Sequence, residues 1–398
     1  MMKLARSADP NTETRTTRPV RCGARRAHAY RTGLLFALLV MVVSAGLHAA
    51  RNEAISVRWQ RKVNQPQSLT ISPGAQFFGG ADKDGTVRLY DDRGKVLWTK
   101  RVEGATDVLI ARNGQSILVY SRLNPVHRTV RFFRRDGREL WEHEVEGSVW
   151  AGAVTPDGQY AAVTTGEKFV YLYTPHPTNP SFRRWRLQGI GHCLTFTPDS
   201  KSLVAGTWQD STIARYELDG SPKWILGQES ERQYELQTSG DGKHILGVRP
   251  STQHTPLAEI CLWDSAGKGI WRKTLEGFDV AARISPQSKY VAVSYATILS
   301  HKNTEIIERK VAVYSADGKL VWEKGGLFFG PRLVALSPTG DSVIVSDGNR
   351  SLYNIDRRGR ILSKQTFKST IKTAVSSEDG RRILLYCQDG WLYLLGVG

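Results

Sequence analysis

The chain has 398 residues, a formal net charge of +17, 40% hydrophobic residues and 23% charged residues. This balance excludes a wholly disordered chain, and the length fits two average domains or one large all-β domain. The 37 glycines and 11 tryptophans favour many short strands joined by tight turns over a helical fold.

The N-terminal region predicts a membrane segment. Residues 33–50, GLLFALLVMVVSAGLHAA, contain no formal charge and follow a basic region, residues 1–32, which we expect to be disordered. A stretch of this length can cross a bilayer as a helix, and a basic flank stays on the cytoplasmic side. The segment is therefore either an uncleaved single-pass anchor of a bacterial-type cytoplasmic membrane or a cleaved signal segment. In both cases the rest of the chain is exported, and after cleavage it is periplasmic or secreted.

The exported part is basic. The first 50 residues hold a surplus of six positive charges, so residues 51–398 carry +11 of the total of +17. Such a surface attracts acidic proteins or anionic envelope components, although a solvated basic face that aids solubility is an equal alternative. Export makes nucleic acid an unsuitable partner.

The cysteines after residue 50 predict no disulfide framework. Cys193, Cys261 and Cys387 each stand alone in an apolar segment, at wide spacing and in odd number. We expect them to be small buried hydrophobic residues.

A tryptophan recurs through the exported part at intervals of 39 to 51 residues. The repeated position holds Trp59, Trp98, Trp141, Trp185, Trp224, Trp271 and Trp322, and Ser363 in an eighth copy. In most copies a glycine stands four residues earlier, as Gly94 does before Trp98. A period in this range is typical of repeat architectures.

A second marker keeps the same period. A Pro/Asp/Gly/Ser turn lies between two β-rich runs, as in VTPDGQYA at 154–161 and LSPTGDSV at 336–343. With the strands around each tryptophan turn, this gives four antiparallel strands per unit.

The two ends of the repeat region complete one another. The last unit has only three strands, and the strand around Trp59 has no earlier partners, so joining them closes a ring without exposed edges. The sequence therefore predicts an all-β, eight-bladed β-propeller over residues 54–398. We predict that the tryptophans dock neighbouring blades by filling the gap where twisted sheets diverge.

The motif Gly-(Lys/Arg)-x-x-Trp, present as DDRGKVLW at 91–98 and SADGKLVW at 315–322, resembles the tryptophan-docking motif of quinoprotein-alcohol-dehydrogenase-like propellers, the PQQ-like repeats. The TPDGQYAAV turn at 155–163 is similar to turns of WD-repeat-like and TolB-like propellers. The resemblance covers residues 54–398 and implies a propeller. The quinone enzymes of that superfamily carry an adjacent cysteine pair over the cofactor, which this chain lacks. The resemblance therefore assigns no catalytic, metal-binding or cofactor-binding residue, and no cofactor is predicted.

Other catalytic signals are absent or weak. The sequence has no Gly-x-Ser-x-Gly elbow, His-Glu-x-x-His motif or phosphate-binding glycine loop. His176, in TPHPTNPSF, is interpreted as part of a rigid loop rather than a metal site. His192 and Cys193 form either a metal pair or the beginning of a core strand, and the strand is the favoured interpretation.

Connections between the second and third strands of a blade open on the same face as the links between blades. Three of these connections are long, at residues 121–128, 249–257 and 295–309. The latter two belong to neighbouring blades and predict one raised rim. We expect Arg249, His254, His301 and Lys302 to stand on it as a candidate partner or ligand surface, with neutral loop growth as the alternative.

The expected function is a non-catalytic, membrane-tethered, extracytoplasmic and monomeric scaffold that binds a protein or an anionic envelope component. Within the fold, the scaffold of outer-membrane protein assembly is the nearest analogy, although this chain has no cysteine for its lipid attachment. The alternatives are a degenerate propeller enzyme of quinone-dependent, lactonase or lyase type, and a sensor of a small ligand.

Overall fold

A computed structural model describes residues 54–398, except for residues 113, 175–180, 209–211, 228–234, 252–256, 302–303, 327–329 and 331. The predicted basic region and hydrophobic segment lie outside the described residues. Within these residues, no helix is long and apolar enough to cross a membrane. Every regular element there is a β-strand, and the strands form eight four-stranded antiparallel sheets.

In each blade the strands run from the innermost to the outermost in the following order. Blade one is β2 (Pro66–Ile71), β3 (Phe77–Asp82), β4 (Thr86–Asp91) and β5 (Val96–Arg101), and blade two is β6 (Asp107–Ile110), β7 (Ile117–Tyr120), β8 (Thr129–Phe133) and β9 (Glu139–Glu144). Blade three is β10 (Val149–Val154), β11 (Ala161–Thr165), β12 (Phe169–Thr174) and β13 (Ser181–Arg186), and blade four is β14 (Ile190–Phe196), β15 (Ser202–Trp208), β16 (Ile213–Glu217) and β17 (Pro222–Leu226). Blade five is β18 (Glu235–Thr238), β19 (His244–Arg249), β20 (Leu257–Asp264) and β21 (Gly269–Glu276), and blade six is β22 (Phe278–Ile284), β23 (Tyr290–His301), β24 (Thr304–Ser315) and β25 (Leu320–Gly325). Blade seven is β26 (Arg332–Leu336), β27 (Ser342–Ser346), β28 (Ser351–Asp356) and β29 (Ile361–Thr366), and blade eight is β30 (Ile371–Ser376), β31 (Arg382–Cys387), β32 (Trp391–Val397) and β1 (Ile55–Lys62).

Burial follows the position of a strand within its blade. The second strands are covered on both faces by neighbouring blades, and β3, β7, β11 and β27 are buried at every residue. Their sequences are correspondingly near-continuous runs of apolar or small residues, such as ILVY in β7. Outer strands such as β5 have one face at the surface and alternate between charged and packed residues. The hydrophobic core is therefore a series of layers between blades.

The predicted ring closure is confirmed. Strand β1 pairs antiparallel with β32, from Ile55 opposite Val397 to Lys62 opposite Trp391. The strand that begins the described chain thus supplies the outer strand of the last blade, which leaves all eight sheets with four strands.

The docking tryptophans lie on the outer strands and contact a glycine of the following blade. Trp98 packs on Gly137, which turns the chain between β8 and β9 with φ of +84°. A Cβ atom on this glycine would stand 2.8 Å from Cγ of the Trp98 ring, so no larger residue fits without a shift. The Trp98 indole N–H also donates a hydrogen bond of 3.0 Å to the carbonyl oxygen of Arg135 in the same turn.

The same contact is repeated around the ring. The matched pairs are Trp59 with Gly94, Trp185 with Gly220, Trp224 with Gly267, Trp271 with Gly318 and, more loosely, Trp322 with Gly359. Where a glycine stands four residues before the repeated position, it therefore contacts the tryptophan of the preceding blade rather than that of its own blade.

Two positions depart from the repeat, at Trp141 and Ser363. Trp141 stacks between Phe132, at 4.7 Å, and Tyr173 of blade three, at 4.9 Å between ring centroids. Residues 175–180, which follow β12 in sequence, lie outside the described residues. Ser363 lies on β29, the outer strand of blade seven, and faces blade eight as the following blade. The third and outer strands of blade eight are β32 and β1, which are not joined by a turn. No turn glycine is available there to receive an indole.

Replacing Trp98 by Ala should lower the free energy of unfolding by about 3–5 kcal/mol, because a side chain only 9% exposed is lost from between two blades. Denaturant unfolding followed by circular dichroism measures this change. Leu97→Ala on the same strand, where the side chain is 38% exposed, is the control and should change stability by less than about 1 kcal/mol. Equal effects of the two variants would contradict the docking role.

Candidate functional site

The propeller has two distinct faces. The face that carries the links between blades also carries the connections between second and third strands, and we call it the link face. The opposite face carries the turns between first and second strands, including those with Pro73, Pro156 and Pro286. Each inner strand runs from the link face to the turn face, so its first residues lie at the link-face end of the central channel.

Among the described residues, the link face carries a long β-ribbon on blade six. Strands β23 and β24 have 12 residues each and pair without interruption from Tyr290 opposite Ser315 to His301 opposite Thr304. Pairing with the neighbouring strands covers only part of this length. The inner strand β22 pairs with β23 as far as Ala296, and the outer strand β25 pairs with β24 as far as Lys310. About five residues of each strand therefore extend beyond the sheet, a distance of about 16 Å. The segment 295–309, predicted as a long loop, is thus two strands, as its β-branched residues allow.

The ribbon exposes an apolar pair. Ile298 and Ile307 stand directly opposite one another and are 54% and 52% exposed. Directly opposed side chains in an antiparallel pair touch, so the two isoleucines form one continuous apolar surface.

Ion pairs hold the base of the ribbon against the outer strand of blade six. Lys310 Nζ lies 3.1 Å from a carboxylate oxygen of Glu308 and 3.2 Å from one of Glu323 on β25. Hydrogen bonding to these two carboxylates raises the pKa of Lys310. The hydroxyl of Tyr295 on β23 also donates to Glu323. These contacts tie both ribbon strands to β25 at the point where the ribbon leaves the sheet.

The predicted rim residues are only partly placed. Arg249 ends β19 and pairs with the buried carboxylate of Glu259 at 2.7 Å, while Arg272 of β21 reaches the same carboxylate at 2.6 Å. The positive charge of Arg249 is therefore paired within blade five. His301 ends β23, and its side chain is not among those described. His254 and Lys302 lie outside the described residues, so their place on the rim stays a prediction.

The inner strands carry irregularities that aim side chains into the channel. Six of the eight show a break in register with the second strand. A bulge leaves a residue unpaired and redirects its side chain. The displaced residues include Trp150, His192 and Lys372, all of which line channel cavities. Sequence reasoning missed this role, because no glycine or proline marks the displaced positions.

Three cavities lie along the channel, one at the turn face and two on the link side. The cavity at the turn face has a volume of about 580 Å³ and is lined by residues from every blade. On the link side, a cavity of about 500 Å³ lies among blades six, seven and eight, and one of about 270 Å³ among blades two to five. Arg283 lines the first two cavities and Gly152 lines the first and third, so each link-side cavity adjoins the turn-face cavity.

The two link-side cavities differ in chemistry. The larger is basic, since Arg283, Arg309, Arg332 and Lys372 line it with Asp279 as its one carboxylate. The smaller is lined by aromatic side chains, among them Trp150, which lies 6.0 Å from His192 and 5.3 Å from Trp208 between ring centroids.

The His192–Cys193 pair lies within β14, as favoured by the sequence. Desolvation raises the pKa of Cys193 to about 12, which favours the protonated thiol. Within the described part of the chain, no three His, Cys, Asp or Glu side chains are grouped to hold a metal ion. His176 falls outside it.

No protein family model matches the sequence, and no curated protein matches it. Solved structures do match. The propeller of Dos1 is similar with a TM-score of 0.66 at 12% identity, covering 86% of this chain and 95% of that one. BamB from Moraxella catarrhalis is similar with a TM-score of 0.63 at 15% identity, covering 86% and 100%. The C-terminal WD40 domain of Sif2 is similar with a TM-score of 0.62 at 13% identity, covering 87% and 99%. At these identities the likeness shows the fold alone, and that fold is a β-propeller.

Proposed function

We propose that this protein is a non-catalytic scaffold on the extracytoplasmic side of a membrane, which binds a partner protein through the ribbon of blade six. The observation that carries this proposal is the exposed pair of Ile298 and Ile307 on strands that project from the link face. The proposal also takes the repeats to be of the PQQ-like kind, on the strength of the Gly-Lys-x-x-Trp motif.

The ribbon has the properties of a binding element. Two strands alone are marginally stable in water, and covering the isoleucine pair would remove apolar surface from solvent. Beyond Ala296 and Lys310, both ribbon edges also lack a neighbouring strand within the sheet. Unpaired edges accept an added strand from a partner, which gives affinity through main-chain hydrogen bonds. A partner protein can therefore use both the edge and the apolar pair.

The membrane tether is proposed from residues 33–50. Only four residues, 51–54, separate this segment from β1, so an uncleaved anchor would keep the ring close to the bilayer. The charge of +11 on the exported part suits an anionic membrane surface or an acidic partner. An anionic envelope component is accordingly a second class of partner for this protein.

Replacing both Ile298 and Ile307 by Ser should abolish or strongly reduce crosslinking of the full chain to one reproducible partner protein in its own membrane. The melting temperature should change little, because both side chains are already half exposed. Crosslinking followed by pull-down and mass spectrometry is the measurement. Leu320→Ser with Val321→Ser on β25, where exposure is 55% and 42%, is the matched control and should retain the partner. Retention of the partner by the ribbon variant, or the absence of any partner, would contradict the proposal.

An uncleaved anchor predicts that the whole protein stays in the membrane fraction after alkaline carbonate washing. Intact mass measurement should then find residues 1–50 still attached. Deletion of residues 2–50 should leave the ring in the soluble fraction inside the cell. A full-length chain that is washed off by carbonate would contradict the tether, and a mature protein beginning near residue 50 would replace the anchor with a cleaved signal.

A further inference from the structure

We propose that the basic cavity among blades six, seven and eight binds a small molecule that carries two or more negative charges on phosphate or carboxylate groups. This site is separate from the isoleucine pair of the ribbon and goes beyond the proposed scaffold function.

The cavity collects cations from four strands. Arg283 lies on β22, Arg309 on β24, Arg332 on β26 and Lys372 on β30, and all line the same space of about 500 Å³. Asp279 is the one carboxylate of the lining, and it pairs with Arg309 at 3.3 Å. Among the described residues, the other three cations form no ion pair. The lining of the cavity therefore carries a surplus of three positive charges.

Like charges that line one channel repel one another, and an anionic ligand would relieve this repulsion. Arg249 differs from these three cations, because it meets a buried carboxylate in blade five. Groups whose charge is unsatisfied inside a cavity are typical of binding sites.

The guanidinium groups are held in position before any ligand arrives. Arg332 Nη1 donates to the carbonyl oxygen of Lys372 at 3.2 Å, which links blades seven and eight across the cavity. Arg283 Nη1 donates to the carbonyl oxygen of Ala282 at 3.2 Å. Both groups keep further N–H donors for a ligand, because a guanidinium has five. Groups fixed in this way lose less conformational entropy on binding.

The position of Arg283 strengthens the attraction for an anion. This residue lines both the basic cavity and the turn-face cavity, so it lies within the channel rather than at its rim. Desolvation lowers the pKa of Arg283, and the nearby charge of Glu235 partly offsets this effect. An anion in the cavity would lie close to this guanidinium and to the other cations of the lining, and their attraction would weaken as salt is added.

The chemistry of the lining selects the class of ligand. A volume of about 500 Å³ falls within the usual range for small-molecule sites, and it is too small for a folded protein. Arginine donates two parallel hydrogen bonds to two oxygen atoms of one phosphate or carboxylate group. A halide ion has only one acceptor atom and cannot be bound in this way. Three uncompensated cations favour ligands with at least two negative charges over singly charged ones.

Isothermal titration calorimetry of the full chain in a neutral detergent, with pyrophosphate and with citrate as probes, tests this proposal. At least one probe should bind, and its affinity should fall as sodium chloride is raised. Arg283→Gln and Arg332→Gln should each weaken binding roughly ten-fold or more, since each removes a charge-assisted hydrogen bond. Lys372→Gln, at an exposed bulge, should weaken binding with an unchanged melting temperature.

The control is Arg138→Gln, which removes the same charge from the exposed turn before β9 and should leave the affinity within about two-fold. Binding of pyrophosphate alone identifies a phosphorylated ligand, and binding of citrate alone identifies a polycarboxylate. If neither probe binds, or if the Arg283, Arg332 and Lys372 variants bind as tightly as the Arg138 control, the proposal is wrong.

Discussion

The contact between a tryptophan of one blade and a turn glycine of the next is the interaction on which the ring depends. Sheets that twist separate toward their outer strands, so each blade interface needs a large side chain at that place. An indole is large enough only if the opposing turn comes close, and a glycine with positive φ permits this, as at Gly137. Each such contact joins neighbouring repeats, and stability therefore builds along the chain from nearest-neighbour interfaces.

This arrangement separates the structural part of the protein from the part that can bind. The docking contacts occupy the outer wall, and the second strands fill the layers between blades. Neither the link face nor the channel is needed for these contacts. The ribbon around Ile298 and Ile307 and the cations around Arg283 can therefore be placed without disturbing the ring. Bulges on the inner strands serve the same end, because they redirect single side chains into the channel and leave the rest of the strand paired.

The fold could be predicted because its signals are local and repeated. The spacing of the tryptophans indicated the number of blades, and the unpartnered strand around Trp59 indicated how the ring closes. The partner of each glycine could not be predicted in the same way. Gly137 precedes Trp141 by four residues, which suggests one motif, yet it contacts Trp98 of the preceding repeat. Only the packing of successive blades shows this relation.

The candidate site was harder to predict, for two physical reasons. The four cations of the basic cavity come from blades six, seven and eight, and no short motif contains them. Lys372 owes its position to a register break that no turn residue announces. Arg249 shows the opposite case. It was expected on an open rim, but its guanidinium meets Glu259, opposite it on β20. Cross-strand partners of this kind depend on register, which the sequence around one loop does not contain.

A double-mutant cycle between Trp98 and Gly137 tests the central claim most directly. The free energy of unfolding is measured for Trp98→Ala, for Gly137→Ala and for the double variant, with Gly390→Ala as a control for the cost of a positive φ alone. A Cβ on Gly390, where φ is +86°, would meet nothing nearer than 3.6 Å. If indole and glycine hold the blades together, Gly137→Ala should destabilise the protein by about 1 kcal/mol or more in excess of Gly390→Ala, and this excess should disappear once Trp98 is Ala. Additive effects of the Trp98 and Gly137 substitutions would contradict the account.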